Sequence, residues 1–283
     1  MTIIEAQKLG AEKLTRASIP SAILDAEVLL MLVLKKSKEY IFTNPEINIT
    51  KTQENKYKSL IKRRAKFEPI AYLIGKKEFY GLSFMVNKNV LIPRPETELL
   101  IEEVIKYVGK NKYYIVDVGT GSGAIAITLK KYLPQIEVAA TDISNLALRV
   151  AQKNAQLNKV DIKFITTDLI SKISDKIEIV VANLPYVPDS EKRIKNVFSA
   201  PLKYEPAKAL YAGRYGLDIY EKLFKQVNKL EIKPKALFCE IGSTYINKTM
   251  ALVKKYFPQA KVEIKKDLCG KDRLLIIELN KLL

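Results

Sequence analysis

Along the 283-residue chain, the spacing of apolar positions changes character twice. Up to about residue 74 it is helical. The run from Ile3-Ile4 to Leu14, and the run Ser21-Ala22-Ile23-Leu24-Asp25-Ala26-Glu27-Val28-Leu29-Leu30, repeat apolar residues at intervals that set them on one helix face. The region reads as a small helical bundle with polar connections. Residues 76–92 alternate, with aromatics, around Gly81 and Asn87 to Asn89, which predicts a β-hairpin. From Glu96 onward short apolar runs alternate with amphipathic stretches, and strands are predicted at 113–118, 136–141, 161–166, 177–182, 235–241, 261–266 and 273–279. Strand-then-helix repetition implies an α/β fold, an open, mainly parallel sheet with helices on both faces. The seventh strand follows the sixth too closely for a crossover helix, so it is predicted antiparallel. The chain thus divides into a helical region 1–74, a hairpin linker 75–95 and an α/β region 96–283, with no internal repeat.

Two strand ends carry chemistry. Ile179-Val180-Val181-Ala182 runs straight into Asn183-Leu184-Pro185-Tyr186. Asn183 supplies a side-chain carbonyl acceptor, Leu184 a backbone carbonyl, and Pro185 a fixed turn. Two acceptors beside an aromatic ring suit a planar NH2 group, each hydrogen taken by one oxygen and the Tyr186 face against the plane. Upstream, Tyr114-Ile115-Val116-Asp117-Val118 leads into Gly119-Thr120-Gly121-Ser122-Gly123-Ala124, a strand, a glycine turn and a helix start. Such a turn lets a ligand approach the backbone closely. Asp142 ends the next strand, near the ~20-residue offset of a ribose-binding acid. Taken singly, each feature also has a plain reading: a strand-to-helix connection, a helix cap, a turn. Found in order on successive strand ends, they point to a crevice outside the carboxyl ends of a parallel sheet. Nicotinamide cofactors and S-adenosylmethionine both carry an adenosine ribose, but only a methyl transfer needs an Asn-x-Pro-Tyr clamp on an amine.

Further segments carry a family resemblance. Glu68-Pro69-Ile70-Ala71-Tyr72-Leu73-Ile74-Gly75, Glu78-Phe79-Tyr80-Gly81-Leu82, Val90-Leu91-Ile92-Pro93-Arg94-Pro95-Glu96-Thr97-Glu98-Leu99-Leu100, Tyr204-Glu205-Pro206-Ala207-Lys208-Ala209-Leu210, Gly216-Leu217-Asp218 and Asp267-Leu268-Cys269-Gly270-Lys271-Asp272-Arg273 resemble motifs of the HemK/PrmC family, the glutamine-amide methyltransferases of peptide chain release factors. The likeness spans essentially the whole chain. It implies the seven-stranded S-adenosylmethionine-dependent methyltransferase fold, with S-adenosylmethionine as the methyl donor consumed. It also implies, as substrate, the glutamine of a Gly-Gly-Gln motif in release factors, recognised through residues 1–74. By the same resemblance Asn183, Leu184, Pro185 and Tyr186 hold the reacting amide, Gly119, Thr120, Gly121, Ser122 and Gly123 approach the methionine portion, and Asp142 takes the ribose hydroxyls. Asp168 and Leu169 flank the adenine, Asp117 orders the glycine loop, and Asn183 also borders the cofactor. Arg94 and Glu96 read either as shaping the pocket entrance or as an ion pair fixing the linker. One position departs from the family: its motif is Asn-Pro-Pro-Tyr, and here Leu184 replaces the first proline. The carbonyl survives, whereas Asn183 loses the restraint of a following proline.

Composition narrows the remaining choices. The chain has no His, which excludes Ser-His and Cys-His nucleophilic catalysis and the common zinc sites, so no metal site is expected. Cys239 and Cys269 stand far apart and read as reduced packing residues. No run approaches the roughly 18 apolar residues of a transmembrane helix, and the N-terminus lacks a signal-peptide pattern, so a cytoplasmic monomer is expected. The charge of +17 comes mostly from Lys scattered along helix faces, so nucleic-acid binding is compatible with it but not required. Three other functions share the motifs: a glutamine methyltransferase of a ribosomal protein, an adenine-amine methyltransferase of nucleic acid, and a non-catalytic S-adenosylmethionine-binding protein.

Overall fold

The computed structural model describes residues 1–173, 176–193 and 199–279, which leaves residues 174–175, 194–198 and 280–283 of the 96–283 region outside the description. The described residues form two compact units, one of residues 1–76 with 199–204, the other of residues 77–193 with 205–279.

The first unit is helical: α1 (Ile3–Arg16), α2 (Ala22–Leu34), α3 (Lys38–Thr43), α4 (Lys51–Arg64) and α5 (Ile70–Ile74). Helices α1 and α4 each begin with a capping box, Thr2 with Glu5 and Thr50 with Gln53, which satisfies N–H groups that a helix start leaves open. Ile3, Leu14, Leu29, Leu30, Tyr57 and Ile61 make its separate core. Within that core Asp25 accepts from Arg64 Nε at 2.6 Å, a buried pair tying α2 to α4.

The second unit begins at Lys77, within the hairpin of β1 (Lys76–Phe79) and β2 (Leu82–Met85). Tyr80 and Gly81 both adopt positive φ, as a two-residue turn between twisted strands requires. The second hairpin strand stops at Met85. Beyond it, Asn87 turns the chain by accepting the Asn89 N–H on Oδ1 at 2.9 Å, so the predicted alternation to residue 92 ends in a turn.

The α/β part follows as α6 (Glu98–Val108), β3 (Tyr114–Val118), α7 (Ala124–Tyr132), β4 (Glu137–Asp142), α8 (Asn145–Asn158), β5 (Lys163–Thr166), β6 (Ile179–Ala182), α9 (Asp218–Lys229), β7 (Ala236–Glu240), α10 (Ile246–Tyr256), β8 (Lys261–Lys266) and β9 (Asp272–Glu278). The sheet order is β5-β4-β3-β6-β7-β9-β8. Its pairs are parallel from β5 to β7, and β9 runs antiparallel to both neighbours. Successive strand residues face opposite sides. Ile115 and Val181 pack with α6 and α7 on one face, Val116 and Val180 with α9 and α10 on the other. The chain moves outward from β3 to β5, then returns to place β6 on the other side of β3. That reversal makes the carboxyl ends of β3 and β6 the topological switch point, where open α/β sheets bind ligands.

Of the two cysteines, Cys239 is buried in β7 as expected. Cys269 is exposed in the tight turn between β8 and β9, so it is no packing residue.

Candidate active site

The glycine loop leaves β3 at the switch point. Its first two N–H groups, of Gly119 and Thr120, both donate to Thr141 O, at 2.9 and 2.8 Å, which ties the loop to the end of β4. Gly119, Gly121 and Gly123 all have positive φ, a conformation that penalises any side chain. A Cβ on Gly119 would lie 2.7 Å from Leu184 Cδ2, and one on Gly123 would lie 2.8 Å from Ile127 Cδ1. The first glycine therefore lets the β6 end approach, and the third lets helix α7 pack on the loop.

Beneath the loop, Asp117 Oδ2 accepts from Thr120 Oγ1 at 2.5 Å and from the Ala126 N–H at 3.2 Å, while Oδ1 is buried without a partner among the described residues. Burial pushes this carboxyl up to about 7, against the pull of those two donors. Asp142 sits at the loop's other side. Oδ2 accepts the Gly121 N–H at 3.0 Å and Oδ1 the Ser144 N–H at 2.8 Å. Burial raises its pKa, opposed by these backbone donors. Each oxygen keeps a further lone pair, so the carboxylate braces the loop and can still accept from a ligand hydroxyl.

After β5, Leu169 takes a left-handed backbone at φ 55° while buried, an uncommon conformation for a bulky residue. Gln226 of α9 brackets the turn: its Oε1 accepts the Ile170 N–H at 3.0 Å and its Nε2 donates to Asp168 O at 3.3 Å. The Asp168 carboxylate pairs with Lys222.

The β6 end is wired differently. Asn183 Nδ2 donates to Thr97 Oγ1 at 3.0 Å and to Glu240 Oε2 at 2.9 Å. Among the described residues no donor reaches Asn183 Oδ1 or the Leu184 carbonyl. The Leu184 N–H donates to Tyr220 Oη at 3.2 Å. This bond restrains the residue that departs from the family's proline, and a proline could not make it. Tyr186 donates its hydroxyl to Glu240 Oε1 at 3.0 Å, and burial first, then the Glu240 charge, raises its pKa.

These pieces enclose one cavity of about 550 Å³. Gly119, Thr120, Gly121, Ser122, Asp142, Asp168, Leu169, Asn183, Leu184 and Pro185 all border it. Asp117 and Gly123 lie behind its wall, supporting the loop. Tyr186 borders a separate, smaller cavity with Gly216, Gly242 and Arg273. Arg94 borders the large cavity but pairs with Glu205 at 2.5 Å, and Glu205 also accepts the Ile92 N–H at 3.1 Å. The ion pair fixing this segment thus uses Glu205, with Glu96 outside it.

Volume and donor set both fit an adenosine joined to an amino-acid chain. The cavity lies within the range of cofactor sites. Apolar walls at Val90, Leu91, Ile143 and Leu169 alternate with the Asp142 and Asp168 carboxylates.

Several contributors carry no signal that motif reading would find. Asn154, buried inside α8, donates to Ser122 O at 2.8 Å and to Met85 O at 3.0 Å, and accepts the Met85 N–H at 2.7 Å. An interior helix Asn is the one clue, since it is unfavourable there unless its side chain is used. Tyr220, Gln226 and Glu240 likewise act across the fold, from positions 37 to 57 residues beyond Asn183.

The PrmC N-terminal domain family model matches residues 5–75, and the methyltransferase small domain model matches residues 95–203. Structural neighbours share the fold at low identity. The catalytic domain of human Mettl16 with an RNA hairpin has a TM-score of 0.59 at 16% identity, covering 84% of this chain and 85% of that one. The Thermus thermophilus 16S rRNA N2 G1207 methyltransferase with AdoMet and guanosine has 0.52 at 15%, covering 72% and 50%. Sequence relatives are much nearer. The release factor glutamine methyltransferase of Koribacter versatilis is 40% identical over 86% of this chain and 87% of its own. That of Clostridium acetobutylicum is 39% identical over 89% and 90%, and that of Coxiella burnetii 35% identical over 98% of both. With identity at this level sustained from end to end, the chain belongs to the release factor glutamine methyltransferase family.

Proposed function

We propose that this chain transfers a methyl group from S-adenosylmethionine to the side-chain amide nitrogen of a glutamine in peptide chain release factors. One observation carries the reading. The Asn183-Leu184-Pro185 strand end and the glycine loop with Asp142 border the same cavity, which sets a clamp for an NH2 group next to a place for the methyl donor. Bound there, S-adenosylmethionine supplies an electrophilic methyl on a sulfonium that is its own leaving group.

The chain's residues do the rest by orientation. Asp142 accepts from the ribose hydroxyls, the Leu169 turn forms an apolar wall for the base, and Gly121 and Ser122 let the chain of the donor lie close to the backbone. Asn183 Oδ1 and the Leu184 carbonyl take the two hydrogens of the substrate amide. An amide nitrogen is a weak nucleophile because its lone pair is delocalised. As that pair turns toward the methyl carbon, positive charge grows on nitrogen and its N–H groups become stronger donors. Two fixed acceptors therefore bind the transition state more tightly than the ground state. The N-protonated amide that results is a strong acid and loses its proton to water, so a chain without His needs no dedicated base.

Residues 1–74 are assigned the role of recognising the intact release factor. The protein is taken to work as a cytoplasmic monomer. Among the described residues no helix is long and apolar enough to cross a membrane. The test is incubation with labelled S-adenosylmethionine and separate release-factor, ribosomal-protein and DNA substrates, with the label located by mass spectrometry. Label on the release-factor glutamine is expected. Label on ribosomal protein or adenine, or cofactor binding with no transfer to any of the three, would replace this reading by the corresponding alternative.

A further inference from the structure

The expected clamp needs Asn183 to present oxygen, not nitrogen, to the substrate, and an amide side chain has no intrinsic preference between the two. We propose that Thr97 and Glu240 are positioning residues of methyl transfer, which lock the Asn183 amide with Oδ1 turned away from them and toward the reacting group. This rests on the reading of Asn183 as an acceptor for the substrate NH2.

The lock follows from a count of hydrogens. Strands β6 and β7 are parallel with Ala182 level with Cys239, so the next residues, Asn183 and Glu240, meet at adjacent strand ends. Thr97 Oγ1 donates its single hydrogen to Glu240 Oε2 at 2.6 Å. It can therefore meet Asn183 only as an acceptor, and it takes one Nδ2 hydrogen at 3.0 Å. Glu240 Oε2 takes the other at 2.9 Å. Both amide hydrogens are used, and an ionised carboxylate has none to give back. Turning the amide over would break both bonds and set Oδ1 against Oε2, acceptor to acceptor. All three side chains lie in the same unit, with Thr97 and Glu240 buried.

A carboxylate is a costly choice for a merely structural position. Burial raises the Glu240 pKa overall, against hydrogen bonds from Thr97 and Tyr186 and the charge of Arg273, which draw it down. An apolar side chain of similar size would fill the space without that penalty. Only a strict acceptor fixes the sense of Asn183 through two donors at once. Sequence reading gave Thr97 and Glu240 no role, because 143 residues separate them.

The test compares Thr97→Val, Thr97→Ser, Glu240→Gln and Asn183→Ala with the wild type. Single-turnover rates at saturating release factor are measured together with KM for the factor, S-adenosylmethionine affinity by calorimetry, and melting temperature. Val keeps the shape of Thr and removes the hydroxyl, so the saturated rate is expected to fall by about tenfold or more. KM and cofactor affinity should stay close to wild type, melting should fall because the buried Glu240 carboxylate loses a donor, and Ser should recover most of the rate and of the stability. Glu240→Gln can offer one acceptor atom but brings a donor to the same group, so the rate should fall while cofactor binding holds. In a spectrum of selectively 15N-labelled Asn, the Asn183 side-chain hydrogens should exchange slowly in the wild type and faster in Thr97→Val. An active wild type, an impaired Asn183→Ala, and a folded Thr97→Val or Glu240→Gln turning over at the wild-type saturated rate would overturn the inference. So would a rate loss in Thr97→Val matched by an equal loss of cofactor affinity and not recovered by Ser. An inactive wild type, or Asn183→Ala at full rate, would instead overturn the function on which the inference rests.

Discussion

At the scale of single residues, three side chains give separable outcomes. Asp142 is assigned the ribose hydroxyls, and hydrogen bonds to charged groups are worth roughly 1.5–3 kcal/mol. Asp142→Ala is expected to weaken S-adenosylmethionine at least tenfold by calorimetry, with unchanged affinity removing the assignment. Because Asp142 also holds the Gly121 N–H, Asp142→Asn should retain more affinity than Ala.

Leu184 shows how a departure from a family motif is absorbed. The motif's proline would restrain Asn183 through sterics, whereas here the Leu184 N–H donates to Tyr220 and the side chain packs on Gly119. Sequence alone suggests that Leu184→Pro restores the family's rigidity and leaves activity equal or higher. The structure adds a cost in stability, since proline removes the donor and leaves a buried Tyr220 lone pair unmet, at about 1–3 kcal/mol. Urea denaturation should find Leu184→Pro less stable than wild type; equal stability would show that the bond is dispensable.

Asp117 sets a pH dependence. Its folded pKa of about 7 lies above the ordinary 3.8, so folding favours the protonated form. That contribution is fully present below pH 3.8 and is lost as pH rises through about 7. Wild-type stability relative to Asp117→Asn should therefore decline between those limits and level off above them. Parallel curves for the two proteins would contradict the assignment.

At the scale of elements, the apolar periodicity made most of the fold legible. Each strand predicted after residue 112 appears within two residues of its expected bounds, because buried parallel strands are nearly all-apolar runs such as Ile179–Ala182. Antiparallel β9 follows from the short connection after Lys266. The hairpin is legible at Tyr80-Gly81 but overextended past Met85, since the polar Asn87 to Asn89 turn continues an alternating pattern without strand geometry. The glycine loop, Asp142 and the β6 end could be read because local chemistry marks them. Thr97, Asn154, Tyr220, Gln226 and Glu240 could not, since each acts through a partner that only the tertiary fold brings near. Gln226 illustrates the gap: on α9 it looks like an ordinary polar face residue, yet it spans the left-handed turn at Leu169. Gln226→Ala should loosen that turn and lower cofactor affinity, by about tenfold if both bonds matter, as calorimetry would read.

At the scale of the whole molecule, the two units have separate cores. The helical one centres on Leu14, Leu29 and Tyr57, and the sheet carries one core on each face. Deletion of residues 1–74 should therefore leave a foldable cofactor-binding part, checked by circular dichroism and calorimetry, that methylates intact release factor far more slowly. A folded truncation working at full rate would assign residues 1–74 another role.

Single-turnover methyl transfer from labelled S-adenosylmethionine to a release factor tests whether the β6 end holds the reacting glutamine amide. The factor is supplied with Gln or with Glu at the target position, to the wild type and to Asn183→Ala. A β6 end that holds the amide gives transfer by the wild type to Gln alone, with the Asn183→Ala rate lower by about 10²–10³ and cofactor affinity changed little. A wild type indifferent to the Gln-to-Glu exchange, or an Asn183→Ala enzyme at full rate, would contradict that role.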